Sequence, residues 1–235
     1  MTNIFTLRNC HTSTSLSVTL FYHSFINVYL NSVILNLLSS HKLARFVSTV
    51  FVPPSFTIIV YTIFAFTLEI DSSKRLITFI IPFIFGFIAP IGLFLMLKKK
   101  GKLADQDASI KEERTFPFII AIGFYLVGLL FMLKYDLNII SIAFWFCYIS
   151  NTLITIIINK YWKISVHAMG ASGTFAAITF TFGWLGLLML PIVILVGWAR
   201  IELKCHTISQ VIAGILLAFF SVYLQMYLII ISFGS

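Results

Sequence analysis

The sequence predicts an all-α protein, a polytopic bundle of six to seven helices that cross a membrane. Of its 235 residues, 60% are hydrophobic and only 10% are charged. The mean hydropathy is +1.02, and a soluble domain of this length could not solvate so much apolar surface. The apolar residues also lie in long runs between short polar segments, and a helix of roughly 20 residues crosses the hydrocarbon core of a bilayer.

Residues 1–45 are predicted to form a separate N-terminal segment that is interfacial or poorly ordered. The run Ser15–Leu38 is apolar, but polar side chains such as His23 and Asn27 interrupt it. Such side chains are costly in mid-bilayer, so a helix at the membrane surface is favoured over an additional span. The additional span stays open as the alternative.

Residues 46–235 are predicted to form one transmembrane helical domain with seven apolar segments. These segments are Val47–Leu68, Leu76–Leu97, Phe118–Leu133, Ile139–Ile158, Ala168–Phe182, Leu185–Ala199 and Thr207–Ile231. Pro53 and Pro54 are tolerated near the start of the first segment, where helical N–H groups lack partners anyway. Pro82 and Pro90 are expected to kink the second segment. The fifth and sixth segments are short for a full crossing.

Counting the crossings places the largest polar segments on one face of the membrane. They are Lys98–Phe116, Lys160–His167 and Arg200–His206. The opposite face keeps only short turns, which are Glu69–Arg75, Lys134–Asp136 and Gly183–Trp184. The net charge of +8 is then explained by topology and by anionic lipid headgroups or phosphates, and not by nucleic acid. The positive-inside rule would make the basic face cytoplasmic.

Arg200 and His206 lie on this basic face, at the junction of the last two apolar segments. His206 opens the last helix, where free N–H groups and the helix dipole favour a bound anion. The planar guanidinium of Arg200 can hold two phosphate oxygens. An imidazole beside an immobilised phosphoryl group can act as its nucleophile.

Two further groups of polar residues lie on the same face. His167 opens the fifth segment and could protonate a leaving alkoxide, because an imidazole titrates near neutral pH. Ser165 and the backbone N–H groups beside it can donate to phosphate oxygens. Lys111 and Arg114 are three residues apart, so on a helical turn their cations share a face. The sequence thus predicts a phosphate site on the basic face.

These segments resemble the three motifs of the type 2 phosphatidic acid phosphatase superfamily, in the form of a divergent bacterial membrane subgroup. The superfamily has a Lys–Arg–Pro motif, a Pro-Ser-Gly-His motif and a Ser-Arg-x5-His-x3-Asp motif. The corresponding stretches here are Lys111-Glu-Glu-Arg114-Thr-Phe-Pro117, Ile164-Ser-Val-His167 and Ala199-Arg200-x5-His206-x3-Gln210. The subgroup has a Glu-Arg-x-x-Pro loop, a Lys-Ile-Ser-x-His segment and an Ala-Arg-x5-His-Thr-x-x-Gln segment, and this chain has all three. The resemblance runs from Phe51 to the C-terminus.

The resemblance implies an integral membrane phosphatase that hydrolyses a lipid phosphate or an isoprenoid diphosphate, without a metal or another cofactor. It implies that His206 is the nucleophile that becomes phosphorylated and that His167 is the general acid. The implied phosphate-binding residues are Arg200, Ser165, Lys111 and Arg114. It also implies the helical fold of that superfamily, surrounded by membrane lipids, in the bacterial inner membrane. The oligomeric state stays open.

Gln210 stands where the superfamily has an aspartate that orients the nucleophilic histidine. It lies four residues after His206 and therefore on the same helix face. Its amide oxygen can accept the imidazole N–H, but it cannot stabilise an imidazolium as a carboxylate does. An alternative function therefore stays open, in which the chain is a catalytically weakened or inactive relative that binds anionic lipid headgroups or acts as a membrane scaffold.

Two other functions are less favoured. Asp105 and Asp107 could bind Mg²⁺ on a prenyl diphosphate, as in intramembrane prenyltransferases, but such enzymes need two Asp-rich clusters and the chain has one. The two carboxylates are more simply explained as residues that cap or solvate a loop. A transporter of a lipid phosphate would be indicated by ionisable residues deep within the spans, and spans two to seven contain essentially none.

Overall fold

The computed structural model describes residues 39–102 and 112–234. Most of the predicted N-terminal segment therefore lies outside the described residues. The same holds for Lys111, Asp105 and Asp107. The chain divides into two units, Met1–Leu43 and Ala44–Ser235.

The described residues form eight α-helices and no strand. The helices are α1 Ser39–Val50, α2 Pro53–Leu68, α3 Ser72–Lys99, α4 Thr115–Lys134, α5 Ile139–Tyr161, α6 Val166–Phe182, α7 Leu190–Glu202 and α8 Ile208–Phe233. Helices α2 to α8 belong entirely to the second unit. The all-helical part of the predicted fold class is therefore confirmed for the part of the chain that the structure describes.

Five helical stretches in the described ranges are long and apolar enough to cross a membrane. They are Ser72–Lys99, Thr115–Lys134, Ile139–Tyr161, Val166–Glu202 and Ile208–Phe233. The pair of α1 and α2, which is bent by 56°, would add a sixth if the two helices form one span. By the length and composition of these helices, the chain is an integral membrane protein.

The stretch Val166–Glu202 is a hairpin of two short helices and not one long span. Gly183 reverses the chain at the end of α6 with φ +63°, a conformation that glycine adopts without a side-chain clash. Ala171 of α6 and Val193 of α7 belong to one buried cluster, although a straight helix would hold them about 33 Å apart. The two helices correspond to the predicted fifth and sixth segments. Helix α7 begins later than predicted, because Gly183–Met189 forms a 3-10 helix.

The predicted first segment, Val47–Leu68, is not one continuous helix, because the structure divides it between α1 and α2. Helix α1 ends at Val50, and α2 begins at Pro53 in a different direction. Val52 between them is extended, with φ −69° and ψ 153°, because a proline disfavours the helical conformation in the residue before it. Pro53 itself occupies the start of a helix, where its missing N–H costs nothing.

Trp145 lies at the centre of the core, where α3, α4 and α5 meet. Its side chain is fully buried, and its indole N–H donates to the Tyr125 carbonyl at 2.7 Å. Gly128 of α4 leaves room for the ring, because a Cβ there would lie 2.6 Å from a ring carbon. Gly86 of α3 also leaves room for the Trp145 ring. It lies in a π-helical turn, Phe83–Ile88, between the two prolines of the second predicted segment.

Gly128→Ala is expected to destabilise the bundle by about 1–3 kcal/mol, the usual cost of overpacking a core. The reason is that the added methyl group would overlap the buried ring of Trp145. Gly123→Ala in the same helix is the matched control, since a Cβ there meets nothing within 4 Å. Thermal unfolding in detergent should show a lower midpoint for Gly128→Ala only, and equal midpoints would contradict this packing.

The two charged turns predicted on one membrane face lie together. The Glu69 carboxylate accepts hydrogen bonds from the Thr78 hydroxyl and from the Asn138 backbone N–H, both at 2.9 Å. Lys74 forms an ion pair with Asp136 at 3.0 Å. These contacts join the loop between α2 and α3 to the turn between α4 and α5, as the count of crossings predicts.

Candidate functional site

His206 lies in the turn between α7 and α8, where the backbone closes on itself. The Arg200 carbonyl accepts from the backbone N–H groups of Cys205 at 3.1 Å and of His206 at 3.3 Å. Lys204 takes the left-handed conformation that ends such a helix, with φ +54°. His206 is therefore held beside the last turn of α7, and it is only 6% exposed.

Gln210 determines which nitrogen of His206 carries the proton. Its Oε1 atom lies 3.1 Å from His206 Nδ1 and accepts from the Thr207 backbone N–H at 3.2 Å. A backbone N–H is always a donor, so the amide atom that faces it is the oxygen, which can only accept. The nitrogen of His206 that faces the same oxygen is then Nδ1–H. The lone pair of the neutral ring therefore lies on Nε2.

The capping of α8 holds this arrangement in place. Thr207 is the N-cap residue, and its hydroxyl accepts from the Gln210 backbone N–H at 3.3 Å while the Gln210 side chain returns to the Thr207 N–H. This reciprocal pair is a capping box. One glutamine side chain thus both caps the helix and orients His206. The prediction that His206 opens the last helix and shares a face with Gln210 was wrong, because His206 lies before the N-cap Thr207, and the capping box brings the Gln210 side chain back to it.

His206 is neutral at ordinary pH. Its burial lowers its pKa, and the positive charges of Arg114, Arg200 and Lys163 lower it further, to about 3, although the hydrogen bond to Gln210 acts in the opposite direction. A neutral imidazole is the form that can attack an electrophile. The same cations would be offset by an anion bound beside the ring.

Arg200 is fully buried, and its backbone carbonyl closes the turn that holds His206. Its Nη1 atom donates to the Ser48 hydroxyl of α1 at 2.6 Å. The side chain does not line the cavity described below, whereas Ser48 does. Arg200 therefore brings a positive charge close to His206 and anchors α1 to the end of α7.

Lys163 connects the second polar segment to the third. Its ammonium group donates to the Cys205 carbonyl at 2.8 Å, directly before His206 in the chain. The sequence places Lys163 two residues before Ser165, but spacing alone did not indicate a role for it. The available signal was a lysine only four residues before His167, within the Lys-Ile-Ser-x-His segment.

Arg114 and Ser165 complete the junction of the three polar segments. Arg114 is buried and donates to the Ile164 carbonyl at 3.3 Å. The Ser165 backbone N–H donates to the Gln210 carbonyl at 3.4 Å. Helix α8 can approach this closely because Gly214 has no side chain, and a Cβ there would lie 2.9 Å from the Ser165 carbonyl oxygen. The three segments therefore meet, as the count of crossings predicts.

The Ser165 side chain caps α6. It is fully buried, and its hydroxyl oxygen accepts from the Ala168 backbone N–H at 3.5 Å. His167 occupies the first turn of the same helix. The hydroxyl predicted to bind phosphate thus faces the helix start in this structure, while His167 faces the cavity.

A cavity of about 570 Å³ extends from this junction into the bundle. Its charged end is lined by basic and imidazole side chains, which are Arg45, Lys98, Arg114, His167 and His206. Its apolar part is lined from the middle of the helices, by residues that include Phe94, Tyr125, Phe144, Tyr148 and Val222. Such a cavity suits an amphiphile with an anionic head and a hydrocarbon chain.

The cavity separates the predicted site residues into two groups. His206, His167 and Arg114 line it directly. Gln210, Ser165 and Arg200 do not line the cavity. Gln210 and the Arg200 backbone bind His206, and Ser165 binds the Gln210 backbone. Lys111 lies outside the described residues. The structure adds Arg45 and Lys98, two cations to which the sequence pattern gave no role at the site.

The described residues contain no group of three or more His, Cys, Asp or Glu side chains that could hold a metal ion. The charged end of the cavity is lined by imidazoles and cations. His206 offers a lone pair on Nε2, His167 offers a second titratable nitrogen, and the cations offer binding to an anion.

The chain matches no family model, no curated protein and no solved structure. The likeness to the phosphatase superfamily therefore rests on the motifs in the sequence. The chemistry of the site rests on its own geometry, in which two imidazoles and several cations surround one end of an amphiphilic cavity.

Proposed function

We propose that the protein is an integral membrane phosphatase that hydrolyses a lipid phosphate or a lipid diphosphate through a phosphohistidine on His206. One observation carries this proposal: His206 and His167 line the charged end of a single amphiphilic cavity together with Arg114. The orientation of His206 by Gln210 supports it, because the lone pair on Nε2 is the one that Gln210 does not engage.

In the first step, His206 Nε2 forms a bond to phosphorus while the bond from phosphorus to the lipid oxygen breaks. The leaving alkoxide takes a proton from His167, which acts as the general acid. Nδ1–H of His206 stays bonded to Gln210 throughout. The phosphorylated ring is an imidazolium, and the negative charge of its phosphoryl group offsets the field of Arg114, Arg200 and Lys163.

In the second step, water attacks phosphorus and the bond to His206 Nε2 breaks. His167, which is now neutral, takes the proton of the attacking water and returns to its initial state. Inorganic phosphate leaves, and His206 regains its lone pair. The lipid alcohol stays in the apolar part of the cavity until it diffuses into the bilayer.

Gln210 supports a second candidate function, a protein that binds anionic lipid headgroups without hydrolysing them. An amide accepts the imidazole N–H but provides no negative charge for the imidazolium of the phosphorylated state. The cavity and its cations would serve either function equally. Release of phosphate by purified protein in detergent and a chelator, from phosphatidate or a prenyl diphosphate, distinguishes the two functions, and binding without release would favour the second.

His167→Asn is expected to lower phosphate release from a lipid phosphate by about 10²–10⁴-fold, the usual contribution of a general acid. The loss should be much smaller with nitrophenyl phosphate, because nitrophenoxide leaves without taking a proton. His41→Asn, at an exposed position of α1, is the matched control. Equal losses on both substrates would show that His167 is not the acid.

A further inference from the structure

Thr174 places a buried hydroxyl group in the wall of the same cavity. Its side chain is 1% exposed, and it is among the residues that line the cavity. Within the described part of the chain, its Oγ1 atom has no hydrogen-bond partner. Burial of a hydroxyl in this state is unfavourable, so a hydrogen-bond acceptor inside the cavity would stabilise Thr174.

Three other threonines in these helices satisfy their hydroxyl groups locally, whereas Thr179 does not. Thr152, Thr155 and Thr181 each donate to the carbonyl four residues earlier, at 2.6, 2.6 and 2.8 Å. A threonine within a helix has this bond available without any ligand. Thr174 does not make this bond, and unlike Thr179 it lines the cavity.

The distance between Thr174 and His167 is set by α6, which contains both residues. Thr174 follows His167 by seven residues, so it lies on the same helix face two turns away, about 10 Å along the axis. Gly170 lies between them and also lines the cavity, at a point where α6 packs closely against Pro53 and Phe56 of α2. On the facing helix α5, Asn151 is another polar residue of the cavity wall.

We infer that the Thr174 hydroxyl donates a hydrogen bond to the carbonyl oxygen of an ester or amide in the bound lipid. This inference rests on the proposed function for the position of the phosphate, at His206 and His167. In an acylated glycerol phosphate the phosphorus and the first ester carbonyl are six bonds apart, about 8 Å when extended. A prenyl phosphate has only hydrocarbon at this depth. Thr174 therefore selects acylated lipid phosphates over prenyl phosphates.

Binding of two matched lipids tests the role of Thr174. An acyl glycerol phosphate and its ether analogue have the same phosphate and chain length and differ only in the carbonyl. The wild-type protein should bind the acyl lipid about three- to tenfold more tightly, the effect of one neutral hydrogen bond. Thr174→Val should bind the two lipids equally. No preference in the wild type, or the same preference in Thr174→Val, would overturn the inference.

Thr179→Val is the matched control. Thr179 lies in the same helix, and its hydroxyl also lacks a partner among the described residues, but it does not line the cavity. The variant should therefore keep the wild-type preference for the acyl lipid. Both substitutions remove a buried hydroxyl without changing the shape of the side chain, so both variants should unfold at or above the wild-type temperature.

Equilibrium binding keeps this inference separate from the proposed function. If the preference is lost only in Thr174→Val while the wild type releases no phosphate, the role of Thr174 stands and the phosphatase proposal fails. If the wild type releases phosphate equally well from lipids with and without the carbonyl and binds them equally, the phosphatase proposal stands and the role of Thr174 fails.

Discussion

His206→Ala is expected to lower phosphate release by at least about 10⁴-fold, the usual loss when a nucleophile is removed from a catalytic unit. The proposed reaction passes through a bond to His206 Nε2, and the described residues that line the charged end of the cavity include only one other imidazole, that of His167. His167 cannot take over both roles. Phosphate release from lipid vesicles or mixed micelles measures the effect.

The control for this substitution is His41→Ala, which removes an exposed histidine of α1 and should release phosphate at the wild-type rate. His206→Ala should also still bind a lipid phosphate, since the cations of the site remain. If His206→Ala released phosphate at the wild-type rate, the proposed mechanism would be wrong, because the reaction would not pass through His206.

Gln210→Glu is expected to raise the rate of phosphate release by about tenfold or more. The substitution keeps the shape of the side chain, so a carboxylate oxygen can take the place of Oε1 beside His206 Nδ1 and the Thr207 N–H. A carboxylate stabilises the imidazolium that forms during the reaction, and its loss in a comparable triad costs about 10⁴-fold in rate. Only part of that factor is expected here, because the cations of the site also act on the ring.

The same substitution should raise the pKa of His206 from its low value of about 3, because an opposite charge favours the protonated ring. Titration of the imidazole by NMR measures this shift independently of turnover. Gln210→Met is the matched variant without an acceptor, and it should lower the rate because the ring is no longer held in one tautomer. A rate unchanged in both variants would mean that Gln210 does not orient the nucleophile.

The helices could be predicted from the sequence wherever an apolar run ends in polar residues or glycine. The predicted Ile139–Ile158 lies within α5, and the predicted Ala168–Phe182 ends with α6 at the same residue. The break at Val52 was not predicted, because prolines near a helix start are compatible with a longer segment that begins before them. A helix that starts at Pro53 and a longer helix that starts before it differ in the direction of α1, and that direction depends on packing.

The proximity of His206 and Gln210 could be predicted because the two residues are only four apart, although His206 lies before α8 and the capping box makes the contact. The direction of the Arg200 side chain could not, because the guanidinium ends on Ser48 of α1, more than 150 residues earlier in the chain. Lys163 and Thr174 were missed for the same reason. Lys163 contacts the Cys205 carbonyl and Thr174 lines the cavity. Both positions are determined by the packing of several helices.

The most direct measurement is the identity of the residue that carries the phosphoryl group during turnover. Purified protein is given a lipid phosphate labelled in its phosphoryl group, quenched in alkali and digested. The proposed mechanism predicts an acid-labile, alkali-stable phosphoryl group on the peptide that contains His206, and none in His206→Ala. Turnover without such a group, or a phosphoryl group on another residue, would contradict the proposal that His206 is the nucleophile.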